Sequence, residues 1–455
     1  MKILLRKIFR LLFRIIIRNR WYSILAFFYS LIIKELSSEG GVKHPSKHAK
    51  HNKLTILVLS ATAFRSDIDC IVATNEIRVL VIPFKWQRRL VNQFYPETFH
   101  KFLLKRNPDY SDYIKQQKEI REFLYGFLAR LYKTISIDCV ISPHPRYVAD
   151  MDWGAVSTKL GVPHILISRD SQFASSPYAL NRVKYLFENA FPRFEGEHII
   201  IQSELDKEVY IDSGYVSPER ISSLGRPRMD DFIKKSKEKR IDAKKRRKKV
   251  VFLPFSYREN GTFDLKDLRS YIGELQLFFV RFAIKFPEID VVIKPKAKGL
   301  RPWEKEVMIK MIGDDGIESN KLLNLIIRDD IDIHSLFFES DIICGLNTSA
   351  LLEAAVIGLP VIIPYFKDLQ NAKYCKRVYY REDYDLFDIA ESAEELESLI
   401  LKRLQNPIID DAIMERRKIC FEKYISSVKG DATEKYVARI KEIVTKQNRN
   451  IIETR

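Results

Sequence analysis

Along the chain, short runs of β-branched and aliphatic residues alternate with longer amphipathic stretches. From residue 54 the runs are LTILVLS (54–60), RVLVIPF (78–84), DCVISP (138–143), PHILIS (163–168) and HIIIQS (198–203), with an amphipathic span near 110–133 among them. Short apolar runs bounded by turn residues predict strands buried on both faces, as in parallel sheets. The alternation restarts with KVVFLPFS (249–256), a helix over 265–286, DVVIKPK (290–296), LNLIIRD (323–329), DIICGL (341–346), a helix from Ser349, and PVIIPYF (360–366). Two such series predict an α/β protein with two doubly wound domains and a cleft between them, because ligands bind at the carboxyl ends of parallel strands. The expected domains are 54–232 and 250–425, joined by a basic linker at 233–249 and followed by a helical element at 426–455.

The first 35 residues follow a different pattern. In MKILLRKIFRLLFRIIIRNR, Arg6, Arg10, Arg14 and Arg18 recur every four positions among Ile, Leu and Phe. That spacing predicts a helix with a basic stripe and a broad apolar face, the pattern of interfacial helices. The run 21–33 has 13 residues, short of the roughly 20 a helix needs to cross a bilayer, and is expected to dip in. Basic residues interrupt the apolar stretch and no small-residue cleavage site follows, so a signal peptide is not predicted. Residues 1–35 are therefore expected to anchor the protein to an anionic membrane surface through these arginines and Trp21. Residues 36–53, with Gly40, Gly41 and Pro45, read as a linker, and His44, His48 and His51 within it as part of a solvated tether rather than a metal site.

Composition and charge narrow the picture. At roughly 150 residues per domain, 455 residues with 46% hydrophobic content can build large cores. The net charge is +17, and it is concentrated: residues 1–35 carry eight Lys/Arg against one Glu, 36–53 four against one, and 234–249 eleven against two acids. The rest of the chain is close to neutral, which excludes the broad basic field of a nucleic-acid channel. Cys70, Cys139, Cys344, Cys375 and Cys420 are widely spread with no CxxC pair, which argues against a disulfide framework or a thiolate zinc site and predicts a reducing compartment.

No GxGxxG follows the first strand, and GxxxxGK[ST], HExxH and GxSxG are absent, so dinucleotide, P-loop, zincin and α/β-hydrolase readings lose their signatures. The triplets Asp67/Asp69, Asp150/Asp152, Asp330/Asp332 and Asp383/Asp385 are weak metal signals in a chain rich in Asp. The most specific stretch is SDIICGLNTSALLEAAVIGLPVIIPYF (340–366). Here Asn347, Thr348 and Ser349 lead into a helix carrying Glu353, and Gly358 and Pro360 precede the next strand. Small hydroxyl residues at a helix start leave backbone N–H groups for a diphosphate, and Glu353 is placed to accept from a ribose diol; the alternative is an exposed glutamate on an N-capped core helix.

This stretch resembles the donor-binding signature of the GT-B glycosyltransferase superfamily, in which a glutamate five residues before a Gly-x-Pro turn commonly holds the nucleotide ribose. Three further segments resemble the CDP-glycerol glycerophosphotransferase-like and surface (capsule) polysaccharide branch: SELDKEVYIDSGYVSPERISSLGRPRMDDF (203–232) with its turn Gly225 to Asp230, FLPFSYREN (252–260), and VIKPKAKG (292–299), where Lys296 stands in place of a usual histidine. The Gly-Asp-Ala-Thr turn at 430–433, before a helix at 434–446, is similar to a carboxyl-terminal element of capsule and teichoic-acid proteins. The resemblance implies a GT-B-like pair of Rossmann-like domains. Donor binding falls to Ser256, Arg258, Lys294, Lys296, Asn347, Thr348, Ser349 and Glu353, with Arg228 as a phosphate-facing residue near the domain junction.

A nucleotide leaving group departs with charge on its β-phosphate, which Arg, Lys and helix-terminal N–H groups can meet without a metal; no cofactor is expected beyond the nucleotide-activated donor, UDP-, CDP- or CMP-linked. The acceptor needs a base on the first domain. His144, after the strand at 138–143, leads; Asp170 follows, then Asp150 or Asp152. His164 and His198 begin strands and read as structural, and His100 and His334 carry no signal. The expected activity is transfer of a sugar to a bacterial surface polysaccharide or lipid-linked acceptor at the cytoplasmic face of the inner membrane. A CDP-glycerol-type glycerophosphotransferase, a UDP-sugar 2-epimerase and a non-catalytic scaffold of the same fold are the alternatives.

Overall fold

The structure, a computed structural model, describes residues 11–38, 41–43, 53–95, 113–168, 171, 174–238, 246–255, 269–296, 323–370, 375–376 and 378–453. The chain divides into two compact units, Met1–Gln172 with Asn181–Asp231 and Tyr424–Arg455, and Phe173–Leu180 with Phe232–Lys423.

The first unit holds an eight-stranded sheet. In chain order the strands are β1 (Lys34–Leu36), β2 (Val42–Lys43), β3 (Leu54–Val58), β4 (Ile77–Val81), β5 (Cys139–Ser142), β6 (His164–Ile167), β7 (His198–Ile201) and β8 (Ile221–Ser223). Their spatial order is β2-β1-β4-β3-β5-β6-β7-β8. From β4 to β8 every pairing is parallel, while β1 and β2 are antiparallel additions at one edge. Alternate residues of each strand point to opposite faces, and both faces are covered. Leu57, Leu59, Leu80 and Val140 pack with the helices Tyr22–Ile32, Ile114–Thr134 and Val148–Lys159. Ile56, Val58, Val79, Val81 and Ile141 pack on the other side with the helices Arg65–Ala73 and Ala432–Glu453. Double coverage explains why these strands read as continuous apolar runs.

Two expectations about the chain's outer segments change. The described part of 1–35 belongs to the first unit: Phe13, Ile17, Leu25, Ala26, Tyr29 and Ile33 are core residues, the Tyr29 hydroxyl donates to Trp86 O (3.0 Å), and Lys34 and Glu35 pair with β4. The expected linker contributes β2, and its residues 44–52 lie outside the described residues. An apolar helix face needs cover, and here the sheet supplies it. Likewise the helix Ala432–Glu453 buries Tyr436, Val437, Ile440 and Val444 in the first unit. The Asp230 carboxylate accepts from Ala432 N (3.1 Å) and Thr433 N (2.7 Å) at its start.

The second unit holds a six-stranded, all-parallel sheet of β9 (Lys249–Leu253), β10 (Asp290–Ile293), β11 (Leu325–Ile327), β12 (Ile342–Gly345), β13 (Val361–Pro364) and β14 (Asp388–Ala390). The order β11-β10-β9-β12-β13-β14 runs outward from β9 in one direction and then, from β12, in the other. That reversal creates a switch point between β9 and β12, where doubly wound sheets bind ligands. The first sheet has the corresponding reversal between β3 and β5. Both units are thus doubly wound parallel α/β folds, as the alternation predicted; β8 and β14, three residues each, were not foreseen.

Candidate functional site

At the carboxyl end of β12 the backbone is crowded. A Cβ on Gly345 would sit 2.9 Å from Leu253 O, so only glycine lets β12 pass β9 this closely. The chain then turns through Asn347 in the left-handed region (φ 50°), whose Oδ1 accepts from Tyr379 N (2.9 Å). The helix Ala350–Val356 follows, buried along its whole length. It ends at Gly358 (φ 79°), where Gly358 N bonds Ala355 O and Leu359 N bonds Ala354 O. Those two bonds form a left-handed glycine cap. The motif's Gly-x-Pro spacing is therefore the signature of a short helix that must stop before β13.

Glu353 lies in this helix, 7% exposed. Ser349 Oγ donates to its Oε1 (3.0 Å) and His334 Nε2 to its Oε2 (3.2 Å), while Phe232 stacks on the His334 ring at 4.2 Å and 21°. The sequence alternative of an exposed glutamate does not hold. His334, which carried no sequence signal, is the residue that reasoning from sequence missed: it belongs to the helix Ile333–Phe338, started by Asp332 Oδ1 accepting from Ser335 N (2.8 Å). An Asp-x-x-Ser cap was the only local clue. Thr348 Oγ1 accepts from Ala350 N (3.3 Å).

At the end of β10, Lys294 is half-buried, and burial lowers its ammonium pKa against the raising fields of Asp329, Asp332 and Asp330. Lys296 is exposed. Ser256 and Arg258 lie outside the described residues. The structure thus gathers Ser349, Glu353 and His334 into one bonded cluster at the carboxyl edge of the sheet, with Asn347, Thr348, Lys294 and Lys296 on the loops after β12 and β10. Arg417 braces it from below, fully buried. Its guanidinium donates to Leu386 O (2.9 Å), Leu359 O (2.9 Å) and Ala355 O (3.4 Å), which places a cation at the end of the Glu353 helix. Burial lowers the Arg417 pKa to about 10.

The first sheet carries its own polar cluster at the matching edge. Ser60, after β3, has φ 46°; its Oγ donates to Asp150 Oδ1 (3.1 Å) and its N to Gln87 Oε1 (3.4 Å). Gln87 Nε2 also donates to Asp150 Oδ1. Asp150 Oδ2 is buried with no hydrogen-bond partner among the described residues, and burial raises this carboxyl to about 7. Two residues on, Asp152 Oδ1 accepts from Arg121 Nε (2.7 Å) and Gln117 (3.3 Å), and its Oδ2 from Tyr95 (2.9 Å). Positions i and i+2 of a helix face apart, so this pair cannot close on one metal ion. The other triplets are likewise divided: Asp67 accepts from Arg228 NH1 (2.6 Å) and Asp69 from Arg65 (2.7 Å), Asp330 meets Arg328 while Asp332 caps a helix, and Asp383 and Asp385 meet Lys423 and Arg416. Among the described residues no group of three or more His, Cys, Asp or Glu could hold a metal ion.

His144 is 7% exposed after β5, with its Nδ1 accepting from Arg146 N (3.0 Å) and its ring edge-on to Phe191. With Nδ1 accepting this backbone N–H, the neutral form of the ring carries its proton on Nε2. Arg228, expected near phosphate, is held inside the first unit by Asp67. Asp170, Arg6 and Arg10 lie outside the described residues. His164 Nε2 is 2.7 Å from Ser142 Oγ, and His198 Nε2 2.8 Å from Ser222 Oγ.

No protein-family model and no curated protein matches the chain. Among solved structures, the UDP-GlcNAc 2-epimerase of Neisseria meningitidis with UDP-GlcNAc bound is 15% identical with a TM-score of 0.47, over 86% of this chain and 100% of its own. A glycosyltransferase from Rickettsia africae is 13% identical with a TM-score of 0.48, over 87% and 99%. A wall teichoic acid polymerase is 13% identical with a TM-score of 0.40, over 70% and 75%. None of these similarities assigns an activity to the chain.

Proposed function

We propose that the protein is a GT-B-type transferase that moves a sugar from a nucleotide-activated donor to a surface-polysaccharide or lipid-linked acceptor. The observation that carries the reading is the Glu353 cluster at the switch point of the second sheet. There a nearly enclosed carboxylate is held by Ser349 and His334, next in chain to a strand end that only glycine fits. Such a carboxylate suits a ribose diol, whose two hydroxyls donate to it in place of these side chains. Lys294 and Lys296, on the loop after β10, supply charge for the departing diphosphate; at Lys294 burial and the fields of Asp329, Asp332 and Asp330 act in opposite senses. On the first unit, His144 serves the acceptor hydroxyl.

The test is a thermal-shift screen of the full chain against UDP, CDP, CMP, GDP and their sugar or glycerol conjugates. A ligand at 100 times its Kd stabilises by about 2.7 kcal/mol. One nucleotide class is expected to raise the midpoint, and Glu353→Gln, which keeps an acceptor for Ser349, is expected to lose most of that rise. His144→Ala is expected to keep the shift and lose turnover. If no nucleotide moves the midpoint, or Glu353→Gln responds like the parent, the donor site is elsewhere or absent.

A further inference from the structure

The two amino-terminal helices bury only one face each. Residues 11–18 and Tyr22–Ile32 meet at a turn where Arg20 takes φ 53°. Phe13, Ile17, Leu25, Ala26 and Tyr29 face the core. On the opposite side Leu11, Leu12, Ile15, Trp21, Ile24, Phe27 and Leu31 are all large, apolar and 36–59% exposed. At 100° per residue, Ile24, Phe27 and Leu31 fall within one sector of about 60°, opposite Leu25 and Tyr29. Isolated exposed apolar residues need no explanation, but a contiguous set of this size marks an interaction surface.

The charge around this face selects the partner. Residues 11–34 contain Arg14, Arg18, Arg20 and Lys34 and no Asp or Glu. Arg14, Arg18 and Arg20 are exposed, and Arg20 reaches Glu122 at 4.0 Å on the surface. The helix Phe84–Val91, packed beside them, continues the pattern. Its Trp86 packs on Phe13 and Phe28, with Arg89 over the ring at 4.3 Å, and Lys85, Arg88 and Phe84 are exposed beside it. A second copy of the chain would bring like charges together across a two-fold contact. An anionic lipid surface satisfies both halves of the pattern, taking apolar side chains below its headgroups and arginines at them.

We infer that this helical face docks the protein on an anionic bilayer, lying in the interface. It does not span: the Tyr22–Ile32 helix is about 16 Å long at 1.5 Å per residue, its other face is occupied by the protein core, and no helix among the described residues is long and apolar enough to cross a membrane. The docking surface is therefore part of the folded first unit, not a detachable anchor. Deleting residues 1–35 would remove core residues with it, so the decisive experiment changes only exposed positions.

The full chain is sedimented with vesicles of phosphatidylcholine alone and of phosphatidylcholine with 30% phosphatidylglycerol, at low and high salt. Binding is expected only with the anionic vesicles and is expected to weaken with salt. The triple variant Ile24→Asp, Phe27→Asp, Leu31→Asp is expected to lower partitioning at least about tenfold with an unchanged melting midpoint, because these side chains lie outside the core. Arg14→Gln and Arg18→Gln are each expected to cost about fivefold on anionic vesicles. Absence of vesicle binding by the parent, or equal binding by the triple variant, overturns the inference. So does a lipid-free dimer that Phe27→Asp dissociates, which would assign the face to self-association. Nucleotide binding is read in a separate assay, so this outcome is independent of the transferase reading.

Discussion

The carboxyl of Asp150 is raised from 3.8 to about 7 by burial, against the lowering effect of its bonds from Ser60 and Gln87. A carboxyl whose folded pKa lies above its unfolded value binds more protons when folded. Its contribution to stability is complete at low pH and is lost as the pH rises toward 7, at up to about 1.4 kcal/mol per pH unit. His164 acts in the opposite sense. Burial lowers it to about 3, so its contribution is present above 6.5 and is lost as the pH falls toward 3. Comparing the parent with Asp150→Asn isolates the carboxyl. Urea unfolding followed by tryptophan fluorescence is expected to show the variant gaining on the parent between pH 5 and 8, by about 3 kcal/mol at this slope, with little difference at pH 4. Parallel stability curves would mean that Asp150 titrates as an ordinary carboxyl. The sequence showed Asp150 and Asp152 as an undifferentiated triplet; only residues distant in sequence, Ser60, Gln87 and Arg121, give them different states.

The Glu353 helix is seven residues long, too short to be stable alone. Gly358 stops it, Gly345 lets its strand approach β9, and Arg417, some sixty residues later, donates to the carbonyls at its end. Replacing Arg417 with Leu leaves Leu386 O and Leu359 O buried without their donor. The expected cost is about 2–4 kcal/mol, read as a lower urea midpoint for the second unit. It is also expected to weaken any nucleotide-dependent stabilisation, although Arg417 has no part in the proposed donor contact. An unchanged midpoint would show that water replaces the guanidinium without loss. The strand, turn, helix and glycine stop were legible from 340–366 because each has a local signature. Arg417 carries no such local signature, because the carbonyls it meets lie some thirty to sixty residues away along the chain.

Across the whole molecule, the first unit is closed by both ends of the chain. Residues 11–33 cover one face of its sheet, and the Ala432–Glu453 helix covers the other through Tyr436, Val437, Ile440 and Val444. Removing residues 432–455 is expected to expose that face, producing dye binding and loss of cooperative unfolding in the first unit; a truncated protein that unfolds like the parent would show the helix to be dispensable. The sequence determined the two α/β series, their doubly wound character and the donor-like motif, because strand and helix periodicities and glycine stops are written in residues close together along the chain. The tertiary structure alone decided which surfaces the amphipathic terminal helices cover, which ring nitrogen of His144 and which oxygens of Asp150 and Glu353 accept hydrogen bonds, and that His334 meets Glu353. Burial is non-directional, so an apolar stripe does not name its partner, and a buried polar group takes its state from neighbours that only the fold brings within hydrogen-bonding distance.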